Sequence, residues 1–268
     1  NEESNLSNVL ISQKINKASI NSKEIKKNDI FFAIKGKKKD GNFFVSEAFK
    51  KGASIAIVNK IKNSIKKNKQ IKVSNTLEFL TKSSKIVRQN FNGKIVAITG
   101  SCGKTSLKEL LGNTINKYST ATFSPKSFNN KYGVPLSLFN LNLNHKNGVF
   151  EVGMDKKGEI DFLSKIINPD IAVITNISHA HAKNFKNIKQ IATAKSEIIN
   201  NIKKDGSLVL NADDKFYNFH KKIGLKKNLK IYSFSMKKKG DVYLYYIKKE
   251  LKKYKVCIKI NNQNKYFF

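Results

Sequence analysis

Apolar residues in this chain fall into short unbroken blocks, separated by stretches in which they recur every three or four positions. The blocks "DIFFAI" (29–34) and "ASIAIV" (53–58) read as buried strands, and "FFVSEAFKKG" (43–52) between them as a helix that stops at Gly52. The lysine-rich stretch 60–72 reads as a solvated surface segment, followed by a helix from about Leu77 to Gln89. From Lys94 a strand–loop–helix unit repeats. Its strands are "KIVAIT" (94–99), "GVFEVG" (148–153), "IAVITNI" (171–177) and "SLVLNA" (207–212). Helical spacing joins Leu107, Leu110, Leu111 and Thr114, and again Ile188, Ile191, Ile198, Ile199 and Ile202. Continuous apolar strands alternating with helices predict a parallel sheet covered on both faces. Beyond about residue 230, Tyr254, Val256, Ile258 and Ile260 alternate with polar neighbours, which predicts antiparallel edge strands. The expected class is therefore α/β, with a small N-terminal α/β domain (1–90) and a P-loop-type central domain (91–268).

Ligands of parallel α/β sheets bind beyond the carboxyl ends of the strands. The first central strand ends in Thr99-Gly100-Ser101-Cys102-Gly103-Lys104-Thr105, a glycine turn that opens a helix. Two glycines allow backbone N–H groups to approach an anion, and the helix adds its positive N-terminus. Lys104 would neutralise the terminal phosphates of ATP and the Thr105 hydroxyl would hold Mg²⁺. The bland alternative is a tight turn with a surface lysine. Only two residues separate Gly100 from Gly103, against four in the usual nucleotide loop.

The other strand ends supply Glu151 and Gly153, then Asn176, His179 and His181, then Asn211, Asp213 and Asp214. Glu151 sits near the end of an apolar strand, where it needs either a lysine partner or a cation such as Mg²⁺. His179 and His181 flank Ala180, so one of them faces the site, and spacing does not choose between them. Lys195 follows Ile191 by four residues and precedes Ile198 and Ile199 by three and four, on the apolar face of its helix. Burial there would leave a neutral amine able to add CO₂ as a carbamate, unless the side chain snorkels to solvent. Asn129 and Asn130 precede a Gly-Val-Pro turn, where paired amides either orient a substrate or cap the following helix.

Composition changes this picture little. A formal charge of +33 invites nucleic acid, yet Arg88 is the only arginine among 52 basic residues, and the lysines follow the whole chain instead of forming a stripe. No nucleic-acid partner is expected. No apolar run reaches the roughly 20 residues needed to span a bilayer, so no membrane insertion is expected either. Two cysteines, Cys102 and Cys257, make no disulfide framework, and a cytoplasmic, monomeric protein is expected.

Taken together these residues resemble the Mur ligases, ATP-dependent amide-forming enzymes of peptidoglycan synthesis. Their shortened loop reads T-G-x-x-G-K-T/S, which Thr99 to Thr105 match throughout. Further similarity lies in "FNNKYGVPLSL", "FEVGMDKKGEIDFL", "PDIAVITNISHAHAKNF", "ATAKSEI" and the N-terminal "IFFAIKGKKKDGNFF". Within the family these stretches are similar to the branch that joins D-alanyl-D-alanine to UDP-N-acetylmuramoyl-tripeptide through an acyl phosphate.

The resemblance implies ATP, two Mg²⁺ ions and a carbamylated Lys195, with Thr105, Glu151 and His181 as metal ligands and Lys104 on the phosphates. It selects His181 over His179. It also implies that Ser22, Lys23, Lys35, Gly36, Asp40, Gly41 and Asn42 meet the UDP-sugar, and it assigns Asn129 and Asn130 to substrate. The family usually has Asp-Ser-Arg where Asn21-Ser22-Lys23 stand, His at Asn42 and Asn at Ser127. Its later His-Asn motif and C-terminal domain find no counterpart, so the chain is expected to be C-terminally truncated and inactive by itself. Another Mur-type or folylpolyglutamate-like ligase, a kinase-like ATPase and a basic nucleic-acid binder are the alternatives.

Overall fold

A computed structural model describes residues 16–36, 39–179, 184–250 and 253–267. These divide into two compact units: the described residues up to Phe91 together with Pro135–Asn142, and Asn92–Val134 together with Leu143 onward. The return of Pro135–Asn142 to the first unit has no sequence signal, because the helix that carries it begins in the second.

In the first unit the strands β1 (Ala18–Ser19), β2 (Asp29–Phe32), β3 (Ala53–Val58) and β4 (Gln70–Lys72) form a parallel sheet in that order. Helix α1 (Val45–Lys50) buries Val45 and Ala48 against Phe31, Ala56 and Val58. Helix α2 (Thr76–Gln89) begins at Asn75, whose side chain accepts the Leu77 and Glu78 N–H groups as an N-cap. The segment 60–72 is less free than its lysines predict. Buried Gln70 accepts the Lys62 N–H and donates to the Lys62 and Ile65 carbonyls, which draws the strand β4 out of a polar run.

The second unit holds a nine-stranded sheet. Its strands are β5 (Lys94–Thr99), β6 (Ala121–Phe123), β7 (Asn147–Glu151), β8 (Ile171–Ile174), β9 (Ser207–Asn211), β10 (Lys230–Ser235), β11 (Val242–Glu250), β12 (Lys253–Ile260) and β13 (Gln263–Phe267). Their spatial order is β13-β12-β11-β10-β9-β8-β5-β7-β6. Val96 and Ile98 of β5 cluster with Val149 and Val173, and helix α3 (Lys104–Tyr118) covers them with Leu107, Leu111 and Ile115. The remaining helices are α4 (Gly133–Phe139), α5 (Glu159–Ile167), α6 (Ile188–Asn200) and α7 (Tyr217–Lys226).

The predicted change to antiparallel pairing arrives later than residue 230. β10 runs parallel to β9 because α7 makes the crossover between them, and β11 is still parallel to β10; antiparallel pairing is confined to β11–β12 and β12–β13. At the amino end of the central strands Asp170 accepts the Ile95 N–H at 2.9 Å and pairs with Lys94 and Lys203. Among the described residues no helix is long and apolar enough to cross a membrane.

Candidate active site

β5 is flanked by β7 and β8, so its carboxyl end lies between theirs. There the chain leaves the sheet at Thr99, turns through Gly100–Gly103 and enters α3 at Lys104. Gly100 has φ +150°, and a Cβ built on it would stand 1.9 Å from the Thr175 hydroxyl oxygen. Gly103, at φ +80°, forms the left-handed corner that starts the helix.

Partners from the segment after β8 fasten the turn. The Asn176 backbone carbonyl accepts the Ser101 N–H at 2.9 Å, and its side-chain oxygen accepts the Cys102 N–H at 3.0 Å. Thr175 donates its hydroxyl to the Cys102 carbonyl at 2.6 Å, and Ser101 and Ser178 exchange two hydrogen bonds. An anion would therefore find free N–H groups further along the loop than the glycines alone suggest. Ser101 and Cys102 have spent their N–H groups on Asn176, whereas Leu107 is the first residue whose N–H bonds back to the Gly103 carbonyl. The N–H groups of the first helical turn before it remain for an anion. Lys104 folds back over the loop and donates to the Gly100 and Ser101 carbonyls at 2.9 and 3.4 Å.

Glu151, at the end of β7, is 1% exposed. Its two oxygens accept from the Thr105 hydroxyl (2.8 Å) and the Asn129 amide (2.7 Å). Both partners are neutral, so the carboxylate is not held by a lysine among these contacts. Asn129 and Asn130 separate into different tasks. Asn129 reaches Glu151, while the Asn130 side chain accepts the Tyr132 and Gly133 N–H groups and caps α4.

Lys195 is 1% exposed on α6, and its ammonium donates to the Gly100 carbonyl at 2.9 Å. It does not snorkel. Burial lowers its pKa from 10.5 to about 7, the nearby Lys104 charge pushes the same way, and Cys102 opposes them. A substantial neutral fraction at physiological pH follows. The Thr99 hydroxyl, buried at the base of the loop, has no hydrogen-bond partner among the described residues. His179 is exposed, and His181 lies outside the described residues.

In the first unit the predicted substrate residues are engaged largely with their neighbours. Ser22 donates to Glu47 at 2.8 Å, and the Lys23 N–H is taken by the Asn21 side chain. Lys35 and Asp40 form an isolated antiparallel bridge, closed by Gly36 N–H to Lys39 and Gly41 N–H to Ile34. Asn42 donates its amide to Asp40, which holds that carboxyl below the usual carboxylate range, and its oxygen accepts from Asn59 and Lys60.

Models of known families match this sequence. The Mur ligase middle domain matches residues 98–267, and the Mur ligase family catalytic domain matches 14–94. The chain belongs to the Mur ligase family. It is 38% identical over 232 residues to the UDP-N-acetylmuramoyl-tripeptide–D-alanyl-D-alanine ligase of Rickettsia prowazekii, covering 85% of this chain and 51% of that protein. The crystal structure of MurF from Acinetobacter baumannii superposes with a TM-score of 0.80 at 31% identity, over 94% of this chain and 55% of that one. MurF ligase from Thermotoga maritima, solved in complex with ADP, gives 0.77 at 28% identity over 93% and 57%. The chain thus spans about half the length of the curated relatives it matches.

For a Mur ligase the donor set here suits Mg²⁺. It offers a buried carboxylate and a hydroxyl, oxygen donors of the kind Mg²⁺ shares with phosphates, with the Asn129 amide N–H orienting that carboxylate. No group of three or more His, Cys, Asp or Glu that could cage a metal occurs among the described residues. Motif reading overlooked Thr175, Ser178 and Ser124. They are ordinary small polar residues whose importance comes from strand neighbours, not from spacing.

Proposed function

We propose that this chain forms the substrate and nucleotide units of an ATP-dependent ligase that joins D-alanyl-D-alanine to UDP-N-acetylmuramoyl-tripeptide. The observation that carries the proposal is the convergence of Lys104, Thr105, Glu151, Asn129 and Lys195 on one loop of family-specific length. The named relatives support the choice of substrates.

In this reading Thr99–Thr105 take the nucleotide, and the first turn of α3 orients its phosphates. Lys104 exchanges its bonds to Gly100 and Ser101 for phosphate oxygens and offsets their charge. Thr105, Glu151 and His181 would hold Mg²⁺, which, when bound, would withdraw charge from the transferring phosphoryl group. Neutral Lys195 adds CO₂ through its nitrogen lone pair and releases one proton, giving a carbamate that supplies a further anionic ligand. A carboxylate oxygen of the tripeptide attacks the terminal phosphorus and ADP leaves. The amine of D-alanyl-D-alanine then attacks the acyl carbon, phosphate departs and the amine nitrogen gives up a proton. Residues Ser22, Lys23, Lys35, Gly36, Asp40, Gly41 and Asn42 would hold the UDP-sugar, with Asn42 filling its place by hydrogen bonding to Asp40.

The test is phosphate release by the enzyme expressed from its full open reading frame. Release should require ATP and both other substrates, and an amine panel should favour D-alanyl-D-alanine. Glu151→Gln and Lys195→Ala should each lower kcat by about 100-fold, as expected for loss of a metal-site ligand. Full activity in Lys195→Ala would sink the carbamate, and phosphate release without the tripeptide would point to a plain ATPase.

A further inference from the structure

Lys108 has no place in the mechanism above, yet it is fully buried at 0% exposure. It lies three residues beyond Thr105 on α3, on the inner side of the nucleotide helix. A buried ammonium is costly unless hydrogen-bonded and paired. Its nitrogen pairs with Glu109 at 2.9 Å and donates to the backbone carbonyl of Lys126. Lys126 has φ +49°, a left-handed backbone uncommon for a residue with a long side chain, so the chain reverses at the point that Lys108 grips.

The gripped segment runs from Ser124 to Asn130 and bears directly on Glu151. The Ser124 hydroxyl accepts the Glu151 N–H at 3.4 Å, the Asn129 amide donates to its carboxylate at 2.7 Å, and the Asn129 carbonyl accepts the Gly153 N–H at 2.8 Å. A closed ring of contacts results. It passes from α3 through Lys108 to the loop, through Asn129 to Glu151, and through Thr105 back to α3.

We infer that Lys108 is a positioning residue that fixes the 124–130 loop so that Asn129 holds the Glu151 carboxylate against Thr105, thereby setting the affinity of the site for its divalent cation. The inference rests on the metal role proposed for Glu151. Lys108 acts through Asn129, its own nitrogen being engaged by Glu109 and the Lys126 carbonyl.

The experiment is an Mg²⁺ titration of ATP-dependent ligation by the full-length enzyme, with thermal melting of each variant alongside. Lys108→Met should raise the Mg²⁺ concentration for half-maximal activity by about tenfold or more, the size usual for groups that orient metal ligands. Asn129→Ala should do the same. The double variant should be no worse than Asn129→Ala alone, because the two act in series. Lys108→Arg keeps a donor and should recover most of the loss. An unchanged Mg²⁺ requirement in Lys108→Met with only a lowered melting temperature would overturn the inference, as would additive effects in the double variant. Lys108→Gln, which shortens the donor without removing it, runs the same cycle where Lys108→Met does not fold. Glu151→Gln separates the two levels: if it leaves the Mg²⁺ requirement unchanged the metal role itself fails, and if it raises the requirement while Lys108→Met does not, only the positioning role fails.

Discussion

Lys195 and Glu151 are ionisable side chains buried at the end of one sheet, and each is matched chiefly by neutral groups. For Lys195 the consequence is a pH dependence. Its folded pKa of about 7 lies below the ordinary 10.5, so between these values the unfolded chain binds more protons and stability rises with pH. Below about 7 both states are protonated and the whole cost of burying the charge is felt; above 10.5 neither is, and the slope vanishes. Compared with Lys195→Met in bicarbonate-free buffer, the wild type should gain up to about 1.4 kcal/mol per pH unit from roughly pH 7 to 9. Urea denaturation of both proteins across that range measures the gain, and parallel curves would refute it. The place of Lys195 was legible because helical spacing put it among Ile191, Ile198 and Ile199. Lys108 was not legible. What buries it is a loop 18 residues away, which no local periodicity records, and among so many lysines it looked like any other.

Among the elements, the nucleotide loop shows how much a motif says and leaves out. Thr99 to Thr105 were readable as a turn between strand and helix, and β5 starts and stops where its apolar block does. Which N–H groups stay free for an anion was not readable, because Asn176, in the segment after β8, takes two of them from a place distant in sequence. The two loop glycines should respond differently to a methyl group. Gly100→Ala forces a contact of 1.9 Å with the Thr175 hydroxyl and should lower ADP affinity by about tenfold or more, since the loop must shift. Gly103→Ala meets nothing within 4 Å and should cost only the left-handed backbone, about 1–2 kcal/mol of stability. Calorimetric titration with ADP and thermal melting separate the two; equal losses of affinity would contradict the packing argument. Short strands such as β1, β4 and β6 escaped sequence reading because they have too few residues to show a period. The late onset of antiparallel pairing was hidden by α7, whose mixed polarity resembles a surface turn as much as a crossover.

Across the whole molecule, 52 basic residues face 19 acidic ones, and the compact state must hold a formal charge of +33 against itself. Self-repulsion of this kind is screened over about 10 Å at 0.1 M salt. Raising NaCl from about 20 to 200 mM should therefore stabilise the protein by about 1 kcal/mol, or roughly 2–4 °C in melting temperature. A melting temperature that falls or stays fixed over that series would show that the lysines are already neutralised locally. At this scale the hydrogen bonds between the loop after β5 and the segment after β8 have another consequence. Thr175, Asn176 and Ser178 set the path of Ser101 and Cys102, although more than 70 residues of chain separate them. The seven residues Thr99–Thr105 are thus not a portable cassette. An engineer who grafts them onto a foreign strand would carry over the letters without their mould; the smallest transplantable piece is a pair of adjacent strands with both of their outgoing loops.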